Sequence, residues 1–374
     1  MKVLSLNCGS SSIRWGLFDV SAEAEIAAGK LEESDDGNAI WPRIDELLAR
    51  LAREGSEAPD AIGHRIVHGG EEFADATLID DDVMAAIEAA VPLAPAHNPK
   101  CLRGIRAARK VFPSIPHVAV FDTAFHQSMP PEAYTYPIPY EFYERDRIRR
   151  YGFHGTSHRY VSQRAAEILG KPVDAFTGVT CHLGNGSSIA AIREGRSVDT
   201  SMGWTPLEGL MMGTRSGDLD PAIVLELAAR SELGIEKVES LLNNESGLLG
   251  ISGVSGDLRA VESAADAGAP RARLALDVFA HRVRRGIGSA LGVLGGADAI
   301  VLTGGIGEHA VAMRERVVGS WNGLGVHFDS EANLGCVGRE GRISSPRSPI
   351  AVLVIPSREE WLIARETAGV MTRP

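Results

Sequence analysis

The chain has 374 residues, 44% hydrophobic and 23% charged, a length and composition that fit a globular protein of two domains rather than one compact core. With 38 Lys+Arg against 49 Asp+Glu its formal charge is −11, which argues against broad binding to nucleic acid or an anionic membrane. No apolar run approaches the roughly 18 residues of a membrane helix. Met1-Lys2 leads straight into a strand pattern with no signal-peptide core. The four cysteines (Cys8, Cys101, Cys181, Cys336) are scattered without a CxxC, so reduced thiols in a cytoplasmic protein are expected.

Residues 1–20 read as a hairpin of strands, and 40–54 as a helix with Ile40, Ile44, Leu47, Leu48 and Leu51 on one face. Ala61 to Val67 reads as a strand that ends at His68-Gly69-Gly70. Residues 80–90 form a helical pattern with Asp80, Asp81 and Asp82 in its first turn, as the helix dipole favours. A basic helix over 100–112 and a short strand from His117 to Phe121 follow, the latter ending in Asp122. The Pro/Tyr-rich run 130–139 reads as a loop. The second half repeats the logic with a hairpin at 177–193, a helix from Asp220-Pro221 and a long helix near 271–294. Then come a strand at 299–302, the glycines of Gly304-Gly305-Ile306-Gly307, a strand at 350–355 and a helical tail at 359–371. Strands and helices mix in both halves, so the fold class is α/β.

Two stretches echo each other: Leu6-Asn7-Cys8-Gly9-Ser10-Ser11-Ser12-Ile13 and Leu183-Gly184-Asn185-Gly186-Ser187-Ser188-Ile189. Each reads as strand, tight Gly/Ser turn and returning strand. Either alone could be a plain hairpin. Such turns also expose backbone N–H groups and hydroxyls that suit phosphate oxygens. The repetition favours that second reading and a duplicated fold with two phosphate-gripping hairpins at one cleft. Arg65 lies inside an apolar strand pattern between His64 and His68, and Arg215 lies in the Gly-rich segment Met212-Gly213-Thr214-Arg215-Ser216-Gly217-Asp218. Edge or solvated charges are the ordinary explanation, but two arginines in Gly-punctuated segments suit an anion clamp. The chain has no GxxxxGK[ST], HExxH or GxSxG, and Gly305-Ile306-Gly307 lacks the third glycine of a dinucleotide fingerprint. His154 and His158 are four apart, but no carboxylate or Cys lies nearby at ligand spacing, so they are read as structural rather than metal ligands.

Taken together, LNCGSSS, GHRIVHGGE, FDTAFH, YGFHGTSH, HLGNGSS, DTSMGWTPLEGLMMGTRSGDLDP, TGGIGE and IPSREEWLIARET resemble the acetate kinase family, in order and over nearly the whole chain. The resemblance implies the superfold of acetate and sugar kinases, heat-shock ATPases and actin. That is two duplicated actin-like (ribonuclease-H-like) domains around a central nucleotide cleft, here 1–126 with 360–374, and 127–359 with the nucleotide site. It implies reversible transfer of the γ-phosphoryl of ATP to acetate, ATP/ADP and Mg²⁺ (Mn²⁺ as an alternative) as cofactors, a homodimer, and no nucleic-acid or membrane partner. Carried over residue by residue, Asn7 and Glu359 would help hold the metal, and Ser10, Ser12 and Arg14 would serve the phosphate turn. Arg65 and Arg215 would bracket the carboxylate and the transferring group, with Asp122 the catalytic aspartate and His154 a donor to the equatorial oxygens. His182, Leu183, Gly184, Asn185 and Gly186 would cradle ATP phosphates. Asp257, Leu258, Arg259, Gly305, Ile306, Gly307, Glu308 and His309 would line the adenosine pocket. Val67, Ala96, Phe153 and Pro206 would surround the acyl group.

Arginines, an imidazolium and Mg²⁺ fit the chemistry, since phosphoryl transfer is positioning and charge neutralisation. A carboxylate acceptor is already ionised near neutral pH and needs no general base, so Asp122 is expected to orient Arg65, Arg215 or the metal shell. Some positions depart from the family pattern. Arg14 replaces a lysine, Arg358 an asparagine, Ala96 a leucine and Trp204 a phenylalanine, and residues 20–62 are short. Ala96 opens the acyl wall and Trp204 refills part of it, which predicts better use of propionate or butyrate. A propionate- or butyrate-preferring kinase is therefore one alternative, and a nucleotide-gated binding module, as in the actin and heat-shock relatives, is another.

Overall fold

The computed structural model describes residues 1–9, 12–32, 40–53, 58–95, 97–230 and 233–373. It divides into two compact units, Met1–Gln127 with Arg358–Pro374, and Ser128–Ser357. The chain thus passes between them at 127/128 and 357/358, beside the expected 126/127 and 359/360, and Glu359 travels with the first unit.

The first unit holds β1 (Lys2–Cys8), β2 (Ser12–Asp19), β3 (Ala24–Glu32), β4 (Ala61–Ile66), β5 (Thr77–Leu78) and β6 (His117–Phe121), in the sheet order β3-β2-β1-β4-β6-β5. β1 runs antiparallel to β2, with Asn7 opposite Arg14, and parallel to β4. β4 runs parallel to β6, with Arg65 beside Val120. Period-2 alternation sends Leu4, Leu6 and Cys8 to one face of β1. There they meet Ile44, Leu48 and Leu51 of the helix Ile40–Arg53 and Ala108 of the helix Asn98–Val111. Each such fully buried Leu or Ile contributes roughly 1.5–3 kcal/mol. Asp80 caps the helix Asp81–Ala89 by accepting from Val83 N at 2.8 Å.

The opposite face is covered by the helix Glu359–Thr372, whose Ala364 and Ala368 pack on Val3, Phe18 and Ala61. Gly63 makes this close approach feasible. A Cβ there would collide with Thr367 Oγ1 and come within 2.7 Å of Ile363 Cγ2. The first turn of the same helix carries Glu359 and Glu360.

The second unit holds β7 (Gly178–Leu183), β8 (Ser187–Arg193), β9 (Arg196–Thr200), β10 (Ala299–Thr303), β11 (Gly341–Arg342) and β12 (Ala351–Val354), in the order β11-β12-β10-β7-β8-β9. Read from the hairpin outward this is the pattern of the first unit. A leading strand pairs antiparallel with its successor, parallel with the next crossover strand, and a short antiparallel strand closes the edge. The two echoing Gly/Ser segments occupy the same topological place, the β1–β2 and β7–β8 turns. The core lies between this sheet and the helix Pro270–Leu294, where Phe279, Val283 and Ile287 are fully buried.

Gly304–His309, whose glycines carried no assigned element, is a short helix directly after β10. One expectation needs correction: the segment 130–139 is not all loop, since Pro131–Tyr134 makes one helical turn that starts, as prolines allow, at its first position. The helix from Asp220 spans Pro221–Ala229, with Asp220 accepting from Ala222 N at 2.9 Å.

Candidate active site

Each unit carries its own polar cluster at the C-terminal ends of its parallel strands. In the first, β4 delivers Arg65 and the residue after β6 is Asp122. Arg65 Nε donates to Asp122 Oδ1 at 3.0 Å and Nη2 donates to Oδ2, a two-point pair with a fully buried carboxylate. Arg65 Nη1 donates to Asn7 Oδ1 at 3.1 Å, and Asn7 Nδ2 donates to Glu360 Oε1 at 3.2 Å. Glu359 Oε2 lies 3.8 Å from Arg65 Nε. Asp122 thus fixes the Arg65 guanidinium at two of its nitrogens. Glu360 was not singled out from sequence; its neighbour Glu359 in a helix first turn was the available signal.

Two carboxylates, Asp122 and Glu359, thus share one guanidinium, and a third, Glu360, is linked to it through Asn7. Desolvation of the buried Glu359 carboxyl is the main influence on it. Arg65 pulls its pKa down, Glu360 and Asp122 push it up, and the result is raised to about 7. The raised value means that the native state prefers the protonated acid. This contribution to stability is fully present below the ordinary value of 4.5 and is lost as pH rises through about 7. Without divalent cations, Glu359→Gln is expected to gain on the wild type in urea unfolding as pH goes from 5 to 8. The gain should be about 1–3 kcal/mol, at about 1.4 kcal/mol per unit. A difference that stays flat with pH would contradict the assignment.

In the second unit, the β7–β8 turn is closed by Gly184 N donating to Gly186 O at 3.0 Å and to Ser187 Oγ at 3.3 Å. His154 precedes the helix Gly155–Ile168 with φ 57°, a left-handed backbone costly for a non-glycine residue and frequent at functional sites. Its ring stacks on His182, with centroids 4.3 Å apart. A Cβ on Gly186 would lie 3.3 Å from His154 Nε2 and 3.6 Å from Arg215 Nη1, so the bare glycine keeps room where ring and guanidinium meet the turn. Arg215 Nη1 donates to Pro206 O at 3.1 Å, and Met212 Sδ lies 3.7 Å away. No carboxylate pairs with it among the described residues, and burial lowers its pKa, though a guanidinium stays charged. Asn185 O accepts from Gly213 N at 3.1 Å, which ties the hairpin tip to the arginine loop.

The remaining predicted residues fall out as follows. Ser10 and Ala96 lie outside the described residues. Ser12 opens β2, and Arg14 is exposed opposite Asn7. Val67 and Phe153 are buried. The side chains of Leu183 and Leu258 belong to the hydrophobic core, so only their backbone can face a ligand. Asp257 caps the helix Leu258–Asp266 and pairs with the exposed Arg259 at 2.6 Å. Gly305 and His309 are exposed, Ile306 is half-buried and Gly307 is buried. Glu308 is committed to backbone: its Oε1 accepts from Gly304 N and from Ser357 N, each at 3.0 Å. Trp204 is 37% exposed, so its indole is not a closed wall. Sequence reading missed the fully buried Arg314. It donates to Gly307 O at 3.1 Å, Glu308 O at 2.9 Å and Asn333 Oδ1 at 2.8 Å, and so holds the helix Gly304–His309 in place. On the page of sequence it looks like any helical surface arginine.

Comparison with known proteins agrees with this arrangement. The family model described as "Acetokinase family" matches residues 26–365. A protein named acetate kinase from Desulfitobacterium hafniense is 49% identical over 399 residues, covering 100% of both chains. Among solved structures, Porphyromonas gingivalis acetate kinase superposes with TM-score 0.92 at 42% identity, covering 99% of this chain and 100% of that one. A propionate kinase from Francisella tularensis gives 0.91 at 40%, covering 99% of each. The repeated strand order of the two units is the duplicated actin-like architecture, and with these matches along its full length the chain belongs to the acetokinase family.

Proposed function

We propose that this chain transfers the γ-phosphoryl group of ATP to acetate, reversibly, to give acetyl phosphate and ADP. The observation that carries the reading is Arg215, a half-buried guanidinium beside a Gly/Ser hairpin that pairs with no carboxylate among the described residues. A cation partly withdrawn from water and bonded only to neutral groups is costly, and it signals an anion that arrives from outside. In the reaction, Arg215 neutralises charge on the transferring phosphoryl group, and His154 donates a hydrogen bond to its equatorial oxygens. The backbone of His182 to Gly186 holds ATP phosphates, and residues 257–259 and 305–309 serve the nucleoside. Arg65, held charged and oriented by Asp122, binds the acetate carboxylate. That carboxylate is already ionised, so no residue takes a proton from it.

The residues around Arg65 also fit Mg²⁺. Among the described residues no cluster of three or more His, Cys, Asp or Glu side chains forms a ready metal cage. Mg²⁺ does not need one, because it typically takes one or two protein carboxylates plus phosphate oxygens and waters. Asn7 and Glu359 would hold it, with Mn²⁺ as a substitute, and the local reason to expect a cation is the Glu359 carboxyl, whose pKa is raised first by burial and then by Glu360 and Asp122. When bound, the ion neutralises phosphate charge. The proposal includes a homodimer: the helix Pro221–Ala229 has no buried residue and exposes Ile223 and Leu225, which suits burial against a second copy. A mass near 39.8 kDa by light scattering would exclude it. Cytoplasmic residence is proposed from four free thiols and from the lack, among the described residues, of a helix long and apolar enough to cross a membrane.

A hydroxylamine trap for acyl phosphate tests the activity. With ATP, Mg²⁺ and acetate, acetohydroxamate is expected. ATP hydrolysis without hydroxamate would mean a nucleotide-gated module instead. Running acetate, propionate and butyrate side by side fixes acceptor choice, since one methylene is worth only about 1–3 kcal/mol of discrimination.

A further inference from the structure

Behind His154 runs a chain of buried hydrogen bonds that the reaction described above does not use. Ser188 Oγ, on β8, lies 2.8 Å from His154 Nδ1 and 2.8 Å from His158 Nε2. His158 Nδ1 lies 2.7 Å from Thr180 Oγ1, on β7. Ser188, His158 and Thr180 are all fully buried. His158 stands one helical turn after His154, and the β7–β8 pairing sets Ser188 opposite His182, so helix and hairpin together fix every member of the row.

A serine hydroxyl has one hydrogen. Between two imidazole nitrogens it donates to one and accepts from the other, so the two neutral rings are locked in register. Two directions are open. In one, Thr180 donates to His158 Nδ1, His158 Nε2–H donates to Ser188, and Ser188 donates to His154 Nδ1. His154 then carries its proton on Nε2. In the other, every bond is reversed, His154 Nε2 is a bare lone pair, and the Thr180 hydrogen must find another acceptor. Among the described residues Thr180 Oγ1 has only His158 as a hydrogen-bond partner. The second direction therefore strands a buried hydroxyl hydrogen, and the first strands nothing.

We infer that Thr180, His158 and Ser188 are positioning residues that hold His154 as the neutral Nε2–H tautomer, a ready donor on the edge that faces Gly186. The tautomer follows from the hydrogen-bond geometry alone; its use in catalysis rests on the proposed role of His154. A neutral donor serves phosphate without the cost of a buried imidazolium, so the charge in this cluster is left to Arg215.

The test is long-range 1H–15N NMR of the full chain with 15N-labelled histidine, with His154 signals assigned by their loss in His154→Gln. The expected wild-type spectrum has Nδ1 unprotonated and Nε2 protonated. Thr180→Val should move His154 toward Nδ1–H and lower kcat by about tenfold or more, with KM for ATP and acetate little changed. Thr180→Ser should restore both. A wild-type His154 protonated on Nδ1, alone or on both nitrogens, overturns the inference. If Thr180→Val does not fold, the wild-type and Thr180→Ser spectra still decide it. If the tautomer is as inferred and shifts in Thr180→Val while kcat does not change, the relay stands and the role of His154 at the phosphoryl group falls.

Discussion

Arg215→Ala is expected to lower kcat by about 10³-fold or more, the range seen when a transition-state arginine is removed in phosphoryl transfer. Its stability should match or exceed that of the wild type. The guanidinium is half-buried, its bonded partner is the neutral Pro206 carbonyl, and it pairs with no carboxylate among the described residues. Deleting it removes a desolvation cost and leaves no orphaned counter-charge. Arg215→Lys keeps a charge but not the planar fork, and should fall between the two. Steady-state rates and urea unfolding on the same preparations check this. Activity within tenfold of wild type would refute the role of Arg215, and so would a stability loss that matches the activity loss.

Asp122→Asn is expected to do the opposite to stability. Asp122 is fully buried and its two oxygens accept from Nε and Nη2 of Arg65. Neutralising one member of a buried pair leaves an uncompensated charge, at about 3 kcal/mol. Glu359, 3.8 Å from the same guanidinium, can take over part of the pairing, so the protein should still fold. Because the proposed task of Asp122 is to hold Arg65, the variant should raise KM for acetate and change its Mg²⁺ dependence along with kcat. Loss of activity with acetate binding and metal dependence untouched would show that Asp122 acts on the reacting atoms themselves.

The two predictions separate because the arginines differ in their surroundings, and that difference was not legible in the sequence. Both looked alike, as charges among glycines. What distinguishes them are their partners among the described residues: Asn7 and Glu359, far along the chain, for Arg65, and only the nearby Pro206 carbonyl and Met212 sulfur for Arg215. The hairpins were legible because a period-2 apolar pattern broken by Gly and Ser leaves little other choice. The helix Gly304–His309 was not, because glycine is a poor helix former, and its hold comes from Glu308 and Arg314. The pattern His154-x-x-x-His158 was noticed and set aside as structural. Ser188 and Thr180 carried no signal at all, since a buried strand hydroxyl looks like any other small residue until its neighbours are known.

The helix Glu359–Thr372 closes one face of a sheet whose strands all lie before residue 122. On the ribosome, the opening third of the chain therefore waits with Val3, Phe18 and Ala61 uncovered while some 230 intervening residues emerge and fold around their own core. The middle unit can therefore close its core before the first unit does, and the nascent amino-terminal sheet keeps one apolar face open until the last helix emerges.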